Sequence, residues 1–262
     1  MTDTAATERF SDRADAYVRG RPSYPQAIVE HLERAGALRA GQTVVDIGVG
    51  TGLSAEPFLR RGYTVIGVEP NSAMRGAGDE HLRAYPNYRS VAGTAEDTSL
   101  TGAVADLVIA GQAFHWFDVP RAAQEARRIL RPGGWAALIW NDRQSTGSAF
   151  LAGYEALLRT HGIDYAKLLH RHVDDKSIAQ FFAPVQAEVA TFDNPREIER
   201  EDLLALAGSA SYLPAPHDPR HAAMLAALNS LFDMHAHAGR VQMMYRTRMH
   251  YARIATANSL RP

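Results

Sequence analysis

Val44-Val45-Asp46-Ile47-Gly48-Val49-Gly50-Thr51-Gly52, followed by Val65-Ile66-Gly67-Val68-Glu69, decides the reading of this chain. A β-branched run enters a turn with three glycines, and a second apolar run ends in an acid. Glycines let the backbone approach a ligand closely, and the acid one strand over can accept hydrogen bonds from a ribose diol. These residues point to an adenosine-containing cofactor.

Outward from that stretch, strand and helix signals alternate. Strands are predicted at 43–47, 63–68, 88–92, 104–110 and 135–141, with helices near 53–61, 71–84 and 119–130 between them. Asp118 is a helix N-cap in this reading, with Pro120 in the first turn, where its missing N–H costs nothing. Such alternation predicts an α/β fold: a parallel sheet wound with helices on both faces. Arg131-Pro132-Gly133-Gly134 reads as a stop before the fifth strand. Beyond residue 145 the pattern changes to helices at 146–170, 199–208 and 219–237, with strands at 185–192 and 240–254.

The 262 residues suit a single enlarged domain. It divides into an N-terminal cap (1–25), a cofactor-binding core (36–145), a mainly helical substrate-side region (146–238) and a final strand (239–255). With 28 Lys+Arg against 29 Asp+Glu there is no global basic footprint for nucleic acid. Cysteine is absent, which excludes disulfides, thiolate nucleophiles and Cys-ligated metal. No apolar run approaches the ~20 residues a membrane span needs, and Met1-Thr2-Asp3-Thr4 opens no secretory signal. The expectation is a soluble cytoplasmic protein, monomeric or homodimeric, with no membrane or nucleic-acid partner.

At this point the residues resemble a class I S-adenosylmethionine-dependent methyltransferase, of the small-molecule branch with a trans-aconitate-type or ubiquinone-type core. The resemblance rests on elements in order: Val44 to Gly52, Gly67-Val68-Glu69-Pro70-Asn71, Gly93-Thr94-Ala95-Glu96-Asp97, Gly111-Gln112-Ala113-Phe114-His115-Trp116-Phe117 and Leu130-Arg131-Pro132-Gly133-Gly134. Phe10-Ser11-x-x-Ala14-x-x-Tyr17 and Arg21-Pro22-x-Tyr24-Pro25 resemble the N-terminal cap of one branch, and Tyr245-Arg246-Thr247-Arg248 its last strand. Val49 departs from the pattern, since Ala or Cys is usual there, and its branched side chain is expected to crowd the loop slightly. The resemblance implies a Rossmann-like, mostly parallel seven-stranded sheet with an antiparallel last strand. A nicotinamide-binding dehydrogenase is the competing reading, but its third glycine belongs at position 53, where Leu53 stands.

The resemblance also implies residue roles. Gly48, Gly50 and Gly52 would line the methionine and ribose portion of S-adenosylmethionine, and Glu69 would accept from both ribose hydroxyls. Asp46 would lie near the cofactor amino group, or else cap the loop amides. Asn71 and Met74 would pack beside the adenine, although Met74 could equally be helix core. Ala95 and Glu96 would contact the adenine unless they form a plain surface turn. Gly111 and Gln112 would approach through their backbone. Tyr17 and Arg21 of the cap complete the cofactor set, Arg21 or Arg19 pairing with the methionyl carboxylate.

Transfer from a sulfonium needs chiefly in-line positioning, and a base only if the acceptor must lose a proton. His115, among Phe114, Trp116 and Phe117, is either that base or a buried histidine fixing the loop. Tyr17 and Tyr24 would orient or deprotonate the acceptor, or fasten the cap by packing. Trp116, Trp140, Asn141 and Tyr212 would line the acceptor pocket, with Ser209 and Ser211 as weaker candidates. The aromatic surroundings suggest methylation of an aromatic or heteroaromatic metabolite at carbon, nitrogen or oxygen, in secondary metabolism. A carboxylate acceptor of the trans-aconitate type, or a nucleic-acid or protein substrate, is the alternative. No metal is expected: His217 and His221 have helical i,i+4 spacing, but no His-Glu-x-x-His pattern is present.

Overall fold

The computed structural model of the chain describes residues 20–163, 165, 174–210 and 212–254. The cap residues before Gly20, among them Phe10, Tyr17 and Arg19, lie outside it, as does Ser211.

Seven strands form one sheet in the order β3-β2-β1-β4-β5-β7-β6. They are β1 (Thr43–Ile47), β2 (Thr64–Val68), β3 (Tyr88–Val91), β4 (Ala105–Gly111), β5 (Leu130–Arg143), β6 (Glu188–Glu199) and β7 (Arg240–Arg253). The first five run parallel, and β7 is antiparallel to both β5 and β6. The strand order reverses between β1 and β4, the switch point beyond whose carboxyl ends α/β folds bind ligands.

The helices are α1 (Ala27–Arg34), α2 (Glu56–Arg60), α3 (Ser72–His81), α4 (Val119–Ile129), α5 (Ala149–His161), α6 (Asp175–Phe182), α7 (Arg200–Gly208) and α8 (His221–His235). Asp118 caps α4 as expected, accepting from the Arg121 amide at 3.3 Å. Alternation along the strands feeds two cores. Val44, Leu107 and Ile109 pack towards α1 and α2, whereas Val45, Ile47, Val108 and Ala110 pack towards α4 and α6. Each large side chain so buried contributes ~1.5–3 kcal/mol. That explains how a helix as short as α2 holds its place: its Phe58 is fully buried. A third core is built from α5, α7, α8 and the start of β7.

Three elements differ from expectation. The Arg131–Gly134 stretch does not precede β5 but lies within it: Leu130 already pairs with Ala105, and a register shift absorbs the extra residues before Trp135 pairs with Leu107. The bulge keeps the strand extended through a sequence that reads as a turn. The helix expected over 146–170 ends at His161, because Gly162 leaves the helical conformation. The strand expected at 185–192 runs on to Glu199 through Pro195, which a sheet edge tolerates. Helix α6, capped by Asp174 through the Ser177 amide at 2.7 Å, had no counterpart in the sequence reading.

Candidate active site

The glycine turn is fastened to the sheet from its first residue. The amides of Gly48 and Val49 donate to the Val68 carbonyl at 2.8 and 3.2 Å, which seats the turn across the ends of β1 and β2. Gly48 and Gly52 have φ of +72° and +89°, a region costly for any residue with a Cβ. Close packing adds to this: a Cβ at Gly48 would stand 2.5 Å from the Ala113 Cβ, and one at Gly52 2.5 Å from Leu82. The approach is mutual. A Cβ at Gly78 of α3 would stand 2.8 Å from the Gly50 carbonyl oxygen, and one at Gly67 of β2 2.7 Å from Val49 Cγ1. Val49 therefore does not crowd the loop; it is buried in space that Gly67 leaves open.

Glu69, just beyond β2, closes the turn. Its Oε2 accepts from the Gly50 amide at 3.0 Å and its Oε1 from the Asn71 amide at 2.9 Å. Burial pushes its carboxyl above the ordinary range, against the pull of the Asn71 and Gly50 amides and the Arg75 charge. Each carboxylate oxygen offers about two lone-pair sites, so each retains capacity for a ligand hydroxyl. Asn71 caps α3, its Oδ1 accepting from the Ala73 and Met74 amides at 2.9 and 3.0 Å. Met74 is buried, with its Cε 3.4 Å from where a Cβ at Gly50 would stand.

Asp46 is fully buried. Its Oδ2 accepts from Ser54 Oγ at 2.6 Å, while Oδ1 is buried without a partner. It does not cap the loop amides, which correspondingly bond to Val68 and Glu69. Burial pushes its carboxyl up to about 7, the Ser54 bond opposing and the nearby Glu69 charge adding. Thr51 Oγ1 and Tyr88 Oη are also buried without partners, and burial raises the Tyr88 hydroxyl as well. Buried polar atoms are normally bonded. Three oxygens orphaned among the described residues, one of them on the Asp46 carboxyl, surround one glycine turn and fit a polar, cationic ligand seated there.

The loop after β4 supplies the other wall. Gln112 has φ of +56°, strained for a residue with a Cβ. Its amide donates to the Ile139 carbonyl at 2.9 Å, so that N–H belongs to the β5 ladder. Its Nε2 donates to the Asn141 carbonyl at 3.1 Å. Phe114 is buried, whereas His115 and Trp116 are exposed with ring centroids 4.7 Å apart. The expectation of burial among the loop aromatics therefore fails for the His115 side chain. Ala95 is buried in the core, and Glu96 accepts from the Asp118 amide at 2.8 Å, tying its turn to α4.

Gly111 ends β4 where a Cβ would stand 2.8 Å from Tyr24 Oη and 2.9 Å from Ser54 Oγ. Tyr24 thus reaches the switch point although its backbone belongs to the cap. Arg21 turns elsewhere, its Nε donating to Ser209 Oγ at 3.2 Å. Trp140 is buried edge-on to Phe114 and His250, and Asn141 is buried with its side chain bonded. Tyr212 lies 5.4 Å from Tyr165, ring to ring, in the third core. Among the described residues no group of three or more metal-ligating side chains converges. His221 bonds the Pro214 carbonyl at 2.8 Å.

Three residues around the turn, Ser54, Tyr88 and Gly78, escaped the sequence reading, and the packing role of Gly67, which stands in the quoted motif, went unassigned with that of Gly78. A glycine inside a strand or a helix is a recognised sign of close backbone approach, so the two glycine roles were findable. Ser54 and Tyr88 carried no local signal.

The comparisons with known proteins agree with this geometry. Residues 45–138 match a family model described as a methyltransferase domain. An uncharacterized methyltransferase of Mycobacterium tuberculosis is 40% identical over 134 residues, which cover 51% of this chain and 52% of that protein. A ubiquinone biosynthesis O-methyltransferase of Rhizobium etli is 31% identical over 166 residues, covering 59% of this chain and 65% of its own length. The chain spans about half the length of the first of these curated relatives. Among solved structures, a candidate type II methyltransferase from Anaeromyxobacter dehalogenans shares the fold. It has a TM-score of 0.65 and 24% identity, covering 90% of this chain and 99% of that one.

Proposed function

We propose that this chain, which carries a class I methyltransferase domain over residues 45–138, transfers the methyl group of S-adenosylmethionine to a small aromatic or heteroaromatic metabolite. One observation carries the cofactor half of this reading. Glu69 spans from the Gly50 amide to the Asn71 amide beside a buried, half-partnered Asp46, so two acids without a bonded cation among the described residues border a glycine-rich turn. Glu69 would take the ribose hydroxyls and Asp46 the amino group, with Gly48, Gly50 and Gly52 giving room for close approach and Met74 covering the adenine side.

When bound, the cofactor supplies an electrophilic methyl on a sulfonium leaving group. The chain's own task is then orientation and exclusion of water, holding an acceptor atom in line about 3 Å from the methyl. Tyr24, whose hydroxyl lies at the ends of β1 and β4, would orient the acceptor. His115, exposed in the loop after β4, would take a proton from acceptors that must lose one. Trp116, 44% exposed beside His115, favours a flat acceptor stacked at the mouth.

A carboxylate acceptor is the second reading. Arg21 and Arg143 lie within electrostatic reach of Tyr154 and Tyr245, and Arg196 of Tyr245, next to the Ser209 loop. Arg143, however, is already held by Glu155 at 2.5 Å and Tyr165 at 2.8 Å. No such cluster favours a nucleic acid, and the formal charge is −1. Among the described residues no helix is long and apolar enough to cross a membrane.

Calorimetric titration with S-adenosylmethionine tests the cofactor half; no heat at millimolar concentration would overturn it. Methyl incorporation across indoles, phenols, quinones and carboxylates, read by mass, then separates the two acceptor classes.

A further inference from the structure

The segment entering α1 is fastened to the sheet through its carbonyls. Asn141 Nδ2 lies 3.4 Å from the Pro22 oxygen and 3.3 Å from the Ser23 oxygen, to which Asn194 Nδ2 also donates at 2.8 Å. Arg196 Nη1 donates to the Gly20 oxygen at 2.6 Å. Gly20 itself lies so close to α7 that a Cβ there would stand 2.5 Å from the Leu206 nitrogen. Tyr24, the residue after Ser23, places its hydroxyl beside Gly111 and Ser54, and Ser54 bonds Asp46.

Asn141 is 7% exposed, and both ends of its amide are used. Its Oδ1 accepts from Thr247 Oγ1 at 2.6 Å and from Asn194 Nδ2 at 3.2 Å. Its main-chain oxygen accepts from Gln112, the strained residue of the crevice wall. One residue at the end of β5 thus touches the entry segment, the antiparallel hairpin and the loop after β4.

We propose that Asn141 is a positioning residue: by holding the Pro22 and Ser23 carbonyls, it sets the Tyr24 hydroxyl beside Ser54 and Asp46 at the crevice, where that hydroxyl bonds the cofactor as well as orienting the acceptor. This rests on the crevice being the cofactor site proposed above. The chemistry needs an amide. Aspartate in its place keeps the acceptor for Thr247 but has no N–H for Pro22 or Ser23, and turns a charge towards their oxygens.

The test is a double-mutant cycle read by calorimetry with S-adenosylhomocysteine, on the wild type, Asn141→Asp, Tyr24→Phe and the double variant. Hydrogen exchange of residues 20–26 is followed in each. Asn141→Asp and Tyr24→Phe should each weaken binding about tenfold, the scale of one hydrogen bond. The double variant should be no weaker than the weaker single, and exchange over 20–26 should rise in Asn141→Asp but not in Tyr24→Phe. Multiplying losses, or unchanged exchange, would overturn the proposal, since a merely structural residue gives additive effects. If Asn141→Asp does not fold, Asn194→Ala, which removes one bond to the same Ser23 oxygen, should move both readouts less and in the same direction. A wild type that binds no S-adenosylhomocysteine would sink the cofactor reading and this proposal with it; binding with additive losses would sink this proposal alone.

Discussion

The two ends of the parallel strands treat their acids in opposite ways. At the amino ends, Asp106 accepts from the Thr43 amide and from Arg131, and Glu33 accepts from Arg61 and Tyr63. The Arg61 guanidinium bonded to Glu33 holds its carboxyl below the ordinary range. At the carboxyl ends, Asp46 and Glu69 are buried, and among the described residues no cationic side chain is bonded to either carboxylate. Burial pushes both upward. An uncompensated buried acid costs stability. One end is arranged to hold the molecule together, whereas the other carries a cost that a cationic ligand would relieve.

The glycines offer the largest test of that contrast. Gly52, at the carboxyl ends, has φ of +89° and no room for a Cβ; Gly62, at the amino ends, has φ of +83° and nothing within 4 Å. Gly52→Ala should lower the free energy of urea unfolding by about 2–4 kcal/mol, strain and overlap together, and Gly62→Ala by about 1 kcal/mol, strain alone. Equal losses would mean that the turn is not close-packed.

Next in size is Glu69→Ala, which should weaken S-adenosylmethionine binding by about 1–3 kcal/mol in calorimetry, the scale for hydrogen bonds to a charged group. An unchanged affinity would remove Glu69 from the site.

The acids also predict opposite responses to pH. Asp46 titrates higher folded than unfolded, so its stabilising contribution is complete at low pH and is lost as pH rises through about 7. Without cofactor, the unfolding free energy should therefore fall as pH rises from the unfolded value of 3.8 to about 7, and Asp46→Asn should reduce the decline in urea titrations, leaving the part due to Glu69. Glu33 titrates lower folded than unfolded, so its contribution is present at neutral pH and lost on acidification below the ordinary carboxylate range. A slope undiminished in Asp46→Asn would assign the effect elsewhere.

The smallest effect belongs to the amino ends. Glu33→Gln should cost less than about 1 kcal/mol, because the Arg61 pair is partly solvated, and should leave cofactor affinity untouched. A change in affinity would break the separation of the two ends.

Legibility followed locality. Strands β1 and β4 were readable to within a residue because their apolar runs are bounded by turn-forming residues on both sides. Glu69 was readable because an acid directly after a strand needs no tertiary information. The Arg131–Gly134 bulge was not, since only pairing with β4 keeps that stretch extended. For His115 the residue type could not say whether the side chain is buried, and exposure is a tertiary quantity. Asn141 read as a pocket residue, yet its partners Pro22 and Ser23 stand 119 and 118 positions away. No local pattern announces a bond of that span, and Ser54 and Tyr88 escaped for the same reason.

Val49 fills the volume that Gly67 leaves empty, and this locks a residue of the glycine turn against strand β2. A methyl at 67 would meet Val49 Cγ1 at 2.7 Å and the Tyr88 hydroxyl at 2.8 Å, so the valine and the tyrosine close that volume together. A single hydrogen at position 67 thus lets a branched side chain seal the floor of the turn from the sheet side.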